Sequence, residues 1–151
     1  MKGNSLIIIP TFNESENIEL IINKILLLND SNDILVVDDN SPDGTSKIVS
    51  DLKKENIDRI FLIVRDNKLG LGSAYKEGFN WALNKNYSYI FEMDADLSHD
   101  PEEIVNLKEL LIKSDSDVAV GSRYLDGVSV VNWPLSRIFL SYFANIYVRI
   151  I

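Results

Sequence analysis

The residues best suited to chemistry are Asp94 and Asp96, two carboxylates one residue apart that follow the apolar run of residues 90–93. The run is typical of a buried strand, and both acids at its end can turn toward one point. A divalent cation that bridges phosphates is commonly held by one or two carboxylates and otherwise keeps its waters. The pair therefore indicates a site for Mg²⁺ or Mn²⁺. The alternative is that both residues only form a turn and a helix start, where Asp is common for local reasons.

The elements that must position these acids alternate along the chain. Predicted strands cover residues 5–9, 34–37, 60–64, 90–93 and 118–120. Predicted helices cover residues 15–28, 45–55 and about 73–85, and a fourth begins at Pro101 with Asp100 as its N-cap. Asn13 and Glu16 have the spacing of a capping box before the first helix. Strands that alternate with helices predict an α/β fold with a mostly parallel sheet and helices on both faces.

Polar residues are concentrated where the predicted strands end. They are Asn13 and Glu14, Asp38 and Asp39, residues 65–68, Asp94 to Asp96, and Arg123. The carboxyl ends of parallel strands share one rim of a sheet, and ligands bind there. Five such loops predict one site and favour the metal interpretation of Asp94 and Asp96.

Several other kinds of site are excluded or disfavoured. The turn at residues 10–14 has no glycine, so the chain lacks the dinucleotide fingerprint, and it has no Gly-Lys-Ser/Thr phosphate loop. A calcium loop starting at Asp94 would place His99 where glycine is needed and Val105 where glutamate is needed. His99, the only histidine, is predicted to be a capping or packing residue. A nucleotide site with a metal remains.

Composition limits the partners. The formal charge of −8 argues against nucleic acid as the main partner, and the chain has no cysteine for a disulfide or a thiolate metal site. From residue 122 onward, however, three arginines stand against one aspartate. The acidic bulk and the basic tail are expected to serve different purposes.

Five blocks of the sequence together resemble family 2 glycosyltransferases, and more narrowly polyprenol-phosphate (dolichol-phosphate) mannose synthases. The blocks are PTFNE (10–14), VVDDNSPDGT (36–45), KLGLGSAY (68–75), MDADLSHDPE (93–102) and GSRY (121–124). The resemblance implies a Rossmann-like GT-A fold. It also implies metal-dependent transfer of mannose from GDP-mannose to a polyprenyl phosphate, with inversion at the anomeric carbon.

The resemblance also implies roles for single residues on the donor side. Pro10, Phe12 and Glu14 would border the nucleotide, and Asp39 would contact the base or ribose. Phe12 stands where relatives often have tyrosine, so any hydroxyl contact is lost there. Asp94 and Asp96 would hold the metal and the donor diphosphate. Ser98 stands where some relatives have glutamine as a further metal ligand, and it remains a candidate ligand.

On the acceptor side, the resemblance implies that Arg123 and Arg137 bind the acceptor phosphate, and that Ser141 also contributes to binding it. The chemistry is consistent with this arrangement. An acceptor that is already an ionised phosphate needs no strong general base, whereas a sugar hydroxyl would need a carboxylate base.

The tail is expected to form a separate element. Residues 1–133 are predicted to be the nucleotide-sugar-binding core, and residues 134–151 an amphipathic helix. That helix is either a core helix with one solvent-exposed polar face or an interfacial helix at a membrane. Its arginines argue against a simple membrane span. We expect peripheral association with the cytoplasmic side of a membrane, and a chain that continues in the whole protein.

Three other functions remain open at this point. The first is a family 2 enzyme that uses a UDP-sugar or a carbohydrate acceptor. The second is a nucleotide-binding domain without catalysis, and the third is a nucleotidyltransferase.

Overall fold

A computed structural model describes residues 5–28, 32–121 and 135–150. The chain divides into two compact units, Met1–Ala119 and Val120–Ile151. The expected boundary after residue 133 falls among residues outside the description.

The described residues of the first unit form four strands and four helices in strict alternation. They are β1 (Ser5–Thr11), α1 (Ile18–Leu27), β2 (Asn32–Asp38), α2 (Thr45–Glu55), β3 (Ile60–Val64), α3 (Leu71–Leu83), β4 (Tyr89–Glu92) and α4 (Glu103–Ser114). The described part of the second unit contains α5 (Leu135–Ile150).

The four strands form one parallel sheet in the order β3-β2-β1-β4. Ile7 of β1 lies opposite Ile34 of β2 on one side and opposite Phe91 of β4 on the other. All seven residues of β1 and of β2 are buried, as expected for the middle strands of a parallel sheet that is covered on both faces.

Helices cover both faces of the sheet, and this confirms the predicted architecture. One core cluster joins alternate strand residues such as Ile7 and Ile34 to α1, α2 and α4. The other joins the intervening residues, such as Ile8 and Leu35, to α3. The strand period of two thus sends successive side chains into two separate cores.

Helix α3 approaches β1 closely because residue 78 is glycine. A Cβ atom on Gly78 would lie 2.6 Å from Cγ2 of Ile8, which is fully buried. The absence of a side chain at this position therefore sets how close α3 lies to the sheet.

Replacing Gly78 with alanine should destabilise the protein by about 1–3 kcal/mol, because the new methyl group overpacks the core. Gly72→Ala in the same helix is the matched control, since nothing lies within 4 Å of a Cβ at that position. Alanine's helix preference should make the control variant neutral or more stable by up to about 1 kcal/mol. Urea unfolding of both variants measures the difference, and equal stabilities would contradict the close approach.

Three local predictions were wrong. Residues 118–120 form no strand, and Val118 and Val120 are 74% and 80% exposed. A run of three apolar residues forms a strand only when a neighbouring strand pairs with it, because β-propensity depends strongly on context.

The other two errors concern helix starts. Asn13 and Glu16 form no capping box, because α1 begins only at Ile18. Asn13 instead adopts a left-handed turn with φ of 61°, a conformation that asparagine tolerates better than most residues. Helix α4 begins at Glu103, and the Asp100 side chain caps the preceding turn by accepting the Glu102 N–H at 3.1 Å.

Candidate active site

A pocket of about 270 Å³ lies at the carboxyl ends of the strands. The sheet order reverses beside β1, since β2 and β3 lie on one side of it and β4 on the other. Such a switch point leaves a crevice in which open α/β sheets bind ligands. The lining residues come from the end of β1, the loops after all four strands and the start of α3: Pro10, Thr11, Phe12, Glu14, Asp39, Lys68, Gly70, Leu71, Ala74, Asp94, Ala95 and Asp96.

The loop after β4 supplies one wall of the pocket. Asp94 is half-buried, and its Oδ1 accepts a hydrogen bond from the Tyr75 hydroxyl at 3.1 Å. Asp96 is more exposed, and its Oδ1 accepts the Ser98 N–H at 2.9 Å. Burial alone would raise the pKa of Asp96, but hydrogen bonds from Ser98 outweigh it and lower the pKa. Neighbouring donors therefore orient both carboxylates, and those around Asp96 also favour its ionised form.

The backbone of this loop is also constrained. The Asp94 N–H donates to Nδ1 of His99 at 3.3 Å, so the single histidine contacts the loop as a structural partner. Leu97 adopts φ of 60°, which is unfavourable for a residue with a side chain. Backbone strain of this kind tends to occur at functional loops. The loop therefore presents its two acids in one fixed conformation.

Asp38 and Asp39 are adjacent but have different partners. Asp38 is fully buried, and its Oδ1 accepts the hydroxyls of Thr11 at 2.7 Å and Ser41 at 2.6 Å. This carboxylate ties the end of β1 to the loop after β2. Asp38 is therefore a structural residue beneath the pocket.

Asp39 lines the pocket and organises the loop after β3. Its Oδ1 is paired with the Arg65 guanidinium, and both side chains are almost fully buried. Its Oδ2 accepts the N–H groups of Leu69 at 3.0 Å and Gly70 at 3.1 Å. A carboxylate offers about four acceptor positions, so contacts within the protein use most of them. A direct contact of Asp39 with a base or ribose stays a prediction.

Lys68 also lines the pocket. Its Nζ is 3.8 Å from the centre of the Phe12 ring, in the position of a cation–π contact. The other charged residues that line the pocket are Glu14, Asp39, Asp94 and Asp96. Of the described residues that line the pocket, one lysine offers positive charge to an anionic ligand, and a cation bound at the aspartates would add to it.

The loop after β1 is fastened to the loop after β2. The N–H of Asn13 donates to the Ser41 hydroxyl, and the N–H of Glu14 to the Thr45 hydroxyl, each at 3.0 Å. Asp43 completes the contact by accepting the Ser15 N–H at 3.0 Å and the Thr45 hydroxyl at 2.6 Å. Burial would raise the pKa of Asp43, but the hydrogen bonds from Thr45 and Ser15 lower it from 3.8 to about 2.

The Asp43 contacts predict an acid-dependent stability. Since folding lowers this pKa, the stabilisation is complete above pH 3.8 and is lost as the pH falls toward about 2. Asp43→Asn should reduce the stability at neutral pH and flatten its dependence on pH in that window. Urea unfolding between pH 2 and 7 measures both effects, with Asp58→Asn in an exposed turn as the control. If the stability of Asp43→Asn fell as steeply below pH 3.8 as that of the unaltered protein, this role of Asp43 would be contradicted.

The pocket brings together most of the residues that the sequence indicated for the donor side: Pro10, Phe12, Glu14, Asp39, Asp94 and Asp96. Ser98 is not a lining residue, and its described contact is the hydrogen bond to Asp96. Arg123 lies outside the described residues. Arg137 lies in α5, but its side chain is outside the description, and Ser141 in the same helix is half-buried. The acceptor residues therefore stay predictions.

Sequence reasoning assigned no role to Arg65, Lys68 or Tyr75. Arg65 and Lys68 were included only as part of the polar loop at residues 65–68, and Tyr75 only as part of the resemblance block at residues 68–75. The position of that loop after a predicted strand placed Lys68 at the rim of the sheet without giving it a role of its own. Arg65 contacts Asp39, which is 26 residues away in the sequence, and Tyr75 contacts Asp94, which is 19 residues away. No local sequence pattern identifies partners at such separations.

Helix α5 has 16 residues and exposes a group of large apolar side chains: Phe139, Leu140, Tyr142, Phe143 and Tyr147. Within the described part of the chain, no helix is both long and apolar enough to cross a membrane.

Two solved structures are similar in fold to this chain. One is the mannosyltransferase PcManGT from Pyrobaculum calidifontis, solved in complex with GDP-Man and Mn²⁺. It has a TM-score of 0.63 and 22% identity, over 74% of this chain and 33% of that protein. TarS from S. aureus, residues 1–349, has a TM-score of 0.67 and 22% identity, over 89% of this chain and 38% of that protein. These likenesses show the fold, and it is the GT-A fold that the sequence predicted.

Relatives with higher identity cover nearly the whole chain. Polyprenol monophosphomannose synthase of Mycolicibacterium smegmatis is 46% identical over 96% of this chain and 54% of its own length. Undecaprenyl-phosphate mannosyltransferase of Micrococcus luteus is 41% identical over 96% of this chain and 58% of its own length. Dolichol-phosphate mannosyltransferase of Pyrococcus furiosus is 42% identical over 89% of this chain and 37% of its own length.

This chain therefore spans a little over half the length of the first two relatives. The family model described as glycosyl transferase family 2 matches residues 6–150. Because that match covers almost every residue, and the fold and the pocket-lining blocks agree with it, the chain belongs to glycosyl transferase family 2.

Proposed function

We propose that this chain carries the donor site of an enzyme that transfers mannose from GDP-mannose to a polyprenyl phosphate. The observation that carries the proposal is the pocket at the sheet switch point, which is lined by Asp94 and Asp96 together with Phe12 and Lys68, the last two in contact with each other. The names of the three relatives support both mannose and a polyprenyl phosphate as substrates.

The residues present suit a divalent cation, either Mg²⁺ or Mn²⁺. Asp94 and Asp96 supply hard oxygen ligands, and local hydrogen bonds already orient both side chains. Among residues 5–28, 32–121 and 135–150, no cluster of three or more acidic, histidine or cysteine side chains is arranged to hold a metal. Two carboxylates with a substrate diphosphate are a common set of ligands for Mg²⁺. When bound, such an ion stabilises the negative charge that develops on the departing diphosphate.

The protein's own residues position the donor. The Phe12 ring offers a flat apolar surface, and Lys68 above it supplies a cation for the nucleotide or its phosphates. Asp39 holds the loop that carries Lys68, Leu69 and Gly70 in place through its hydrogen bonds. Glu14 closes the side of the pocket next to β1.

The transfer itself needs an acceptor oxygen opposite the leaving diphosphate. An oxygen of the ionised polyprenyl phosphate attacks the anomeric carbon, the bond from that carbon to the diphosphate breaks, and GDP leaves. The configuration of the anomeric carbon is inverted in the product. No strong base is needed, because the nucleophile is already an anion. Arg123, Arg137 and Ser141 are proposed to bind this second phosphate, and positive charge is what brings two anions together.

Helix α5 is proposed to lie at the membrane surface that contains the lipid acceptor. Its exposed aromatic and apolar side chains suit the boundary between headgroups and acyl chains, where aromatic rings are favoured. Peripheral association with the cytoplasmic side of the membrane is part of this proposal, and a water-soluble donor is compatible with it.

Melting temperatures in the presence of sugar nucleotides test the donor assignment. Because a ligand that binds only the native state stabilises it, GDP-mannose with Mn²⁺ should raise the melting temperature of the full-length protein. UDP-glucose at the same concentration should raise it less, and EDTA should reduce the shift with GDP-mannose. A larger shift with UDP-glucose would favour a family 2 enzyme with a different donor.

A further inference from the structure

Tyr75 contacts the candidate metal site from outside the pocket. It lies in α3, is half-buried, and packs against the second core cluster. Its hydroxyl donates to Oδ1 of Asp94 at 3.1 Å, yet Tyr75 is not one of the residues that line the pocket. The residue therefore touches a site carboxylate without facing the ligand space.

The position of Tyr75 is fixed by the rest of α3. Gly78, one turn further along, allows the helix to lie against Ile8 of β1. At the start of the helix, Ser73 accepts a hydrogen bond from buried Arg65 at 2.7 Å. A tyrosine has only two side-chain torsions, so a helix anchored on both sides of residue 75 holds its hydroxyl in one place.

The charges around this hydroxyl explain why a neutral donor is useful there. Three carboxylates act on Tyr75, namely Asp94, Glu92 and Asp96. Like charges repel, so Asp94 without a partner would turn away from its acidic neighbours. The Tyr75 hydroxyl is a donor at neutral pH and adds no charge of its own. It holds Asp94 in place while the site remains anionic enough for a cation.

We propose that Tyr75 is a positioning residue that holds Asp94 in the orientation needed to bind the cation of the donor diphosphate. This inference rests on the proposed function of the pocket. The hydroxyl uses one acceptor position of Oδ1 and leaves the other positions of the carboxylate for the metal. Tyr75 contributes to binding by ordering Asp94 before the metal and nucleotide arrive.

Tyr75→Phe removes the hydroxyl and keeps the ring that packs in the core. Tyr87→Phe is a matched control, because Tyr87 is also half-buried and donates to an aspartate, Oδ2 of Asp33, at 2.8 Å. Asp33 precedes Asp38 by five positions in β2, so this contact lies about 17 Å along the strand from the pocket end. Both substitutions remove the same kind of hydrogen bond, and only one of them removes it at the site.

The experiment measures Mn²⁺ binding to the full-length protein in the presence of GDP. The electron paramagnetic resonance signal of free Mn²⁺ is the readout. Tyr75→Phe should weaken Mn²⁺ binding by about tenfold, a typical effect of losing a partner that orients a metal ligand. Tyr87→Phe should leave Mn²⁺ binding unchanged while lowering the melting temperature to a similar extent. Equal or tighter binding by the Tyr75 variant would overturn the inference.

An Asp94→Asn background separates positioning from a general loss of stability. If Tyr75 acts through Asp94, adding Tyr75→Phe to Asp94→Asn should cause little further loss of Mn²⁺ affinity. An undiminished tenfold effect in that background would overturn the assignment. If the unaltered protein binds no Mn²⁺ with GDP, the proposed function fails together with the inference. If the unaltered protein binds and Tyr75→Phe binds equally well, only the inference fails.

Discussion

Replacing Asp96 with alanine is expected to lower mannosyl transfer by at least about a hundredfold while leaving the fold intact. The large effect follows if Asp96 is, as proposed, a ligand of an ion that stabilises the leaving diphosphate. The fold should survive because Asp96 is exposed and its described hydrogen bond is local, to the N–H of Ser98. Transfer rate and melting temperature are measured on the same preparation.

The matched control for Asp96 is Asp58→Ala, which removes another exposed aspartate from a turn outside the pocket. That variant should retain both its activity and its melting temperature. Retained turnover in the Asp96 variant would remove Asp96 from the metal site. A large fall in its melting temperature would show that Asp96 supports the loop itself.

The second large effect is expected for Asp39→Ala, on stability as well as on activity. The variant leaves the Arg65 guanidinium buried without its carboxylate, and breaking such a pair costs about 3–5 kcal/mol. It also removes the acceptor of the Leu69 and Gly70 N–H groups, which shape the pocket wall that carries Lys68. The free energy of unfolding in urea should therefore fall, and so should the affinity for GDP.

Asp51→Ala is the control for this experiment, because Asp51 also forms an ion pair, with Lys54 at 2.6 Å, but on the surface. Exposed pairs add little to stability, so this variant should unfold like the unaltered protein. If Asp39→Ala had no effect on unfolding while nucleotide binding was lost, Asp39 would act by direct contact with the nucleotide. Such a result would contradict its role as the organiser of the loop.

The strands and the rim of the pocket could be predicted from the sequence because local patterns determine them. Short, largely apolar runs at residues 5–9 and 34–37 predicted strands, and the structure contains both strands, fully buried and with slightly longer ends. The polar residues after each run then had to share one edge of a parallel sheet. Most of the donor-side residues in the pocket follow from that single rule.

The partners of individual side chains could not be predicted in this way. Asp39 was assigned a nucleotide contact because its type suits a base or ribose, whereas the structure shows it paired with Arg65, 26 residues away. That pairing depends on how β2 and β3 lie side by side. The strand expected at residues 118–120 failed for a related reason, since an apolar run forms a strand only where it finds a partner.

The full-length protein is proposed to transfer mannose from GDP-mannose to a polyprenyl phosphate in a metal-dependent reaction. Incubation with radiolabelled GDP-mannose and polyprenyl phosphate, with Mg²⁺, with Mn²⁺ or with EDTA, measures the product directly. We predict lipid-linked mannose with either metal, little with EDTA, and none when unphosphorylated polyprenol replaces the phosphate. The absence of lipid-linked mannose under every metal condition would contradict the claim.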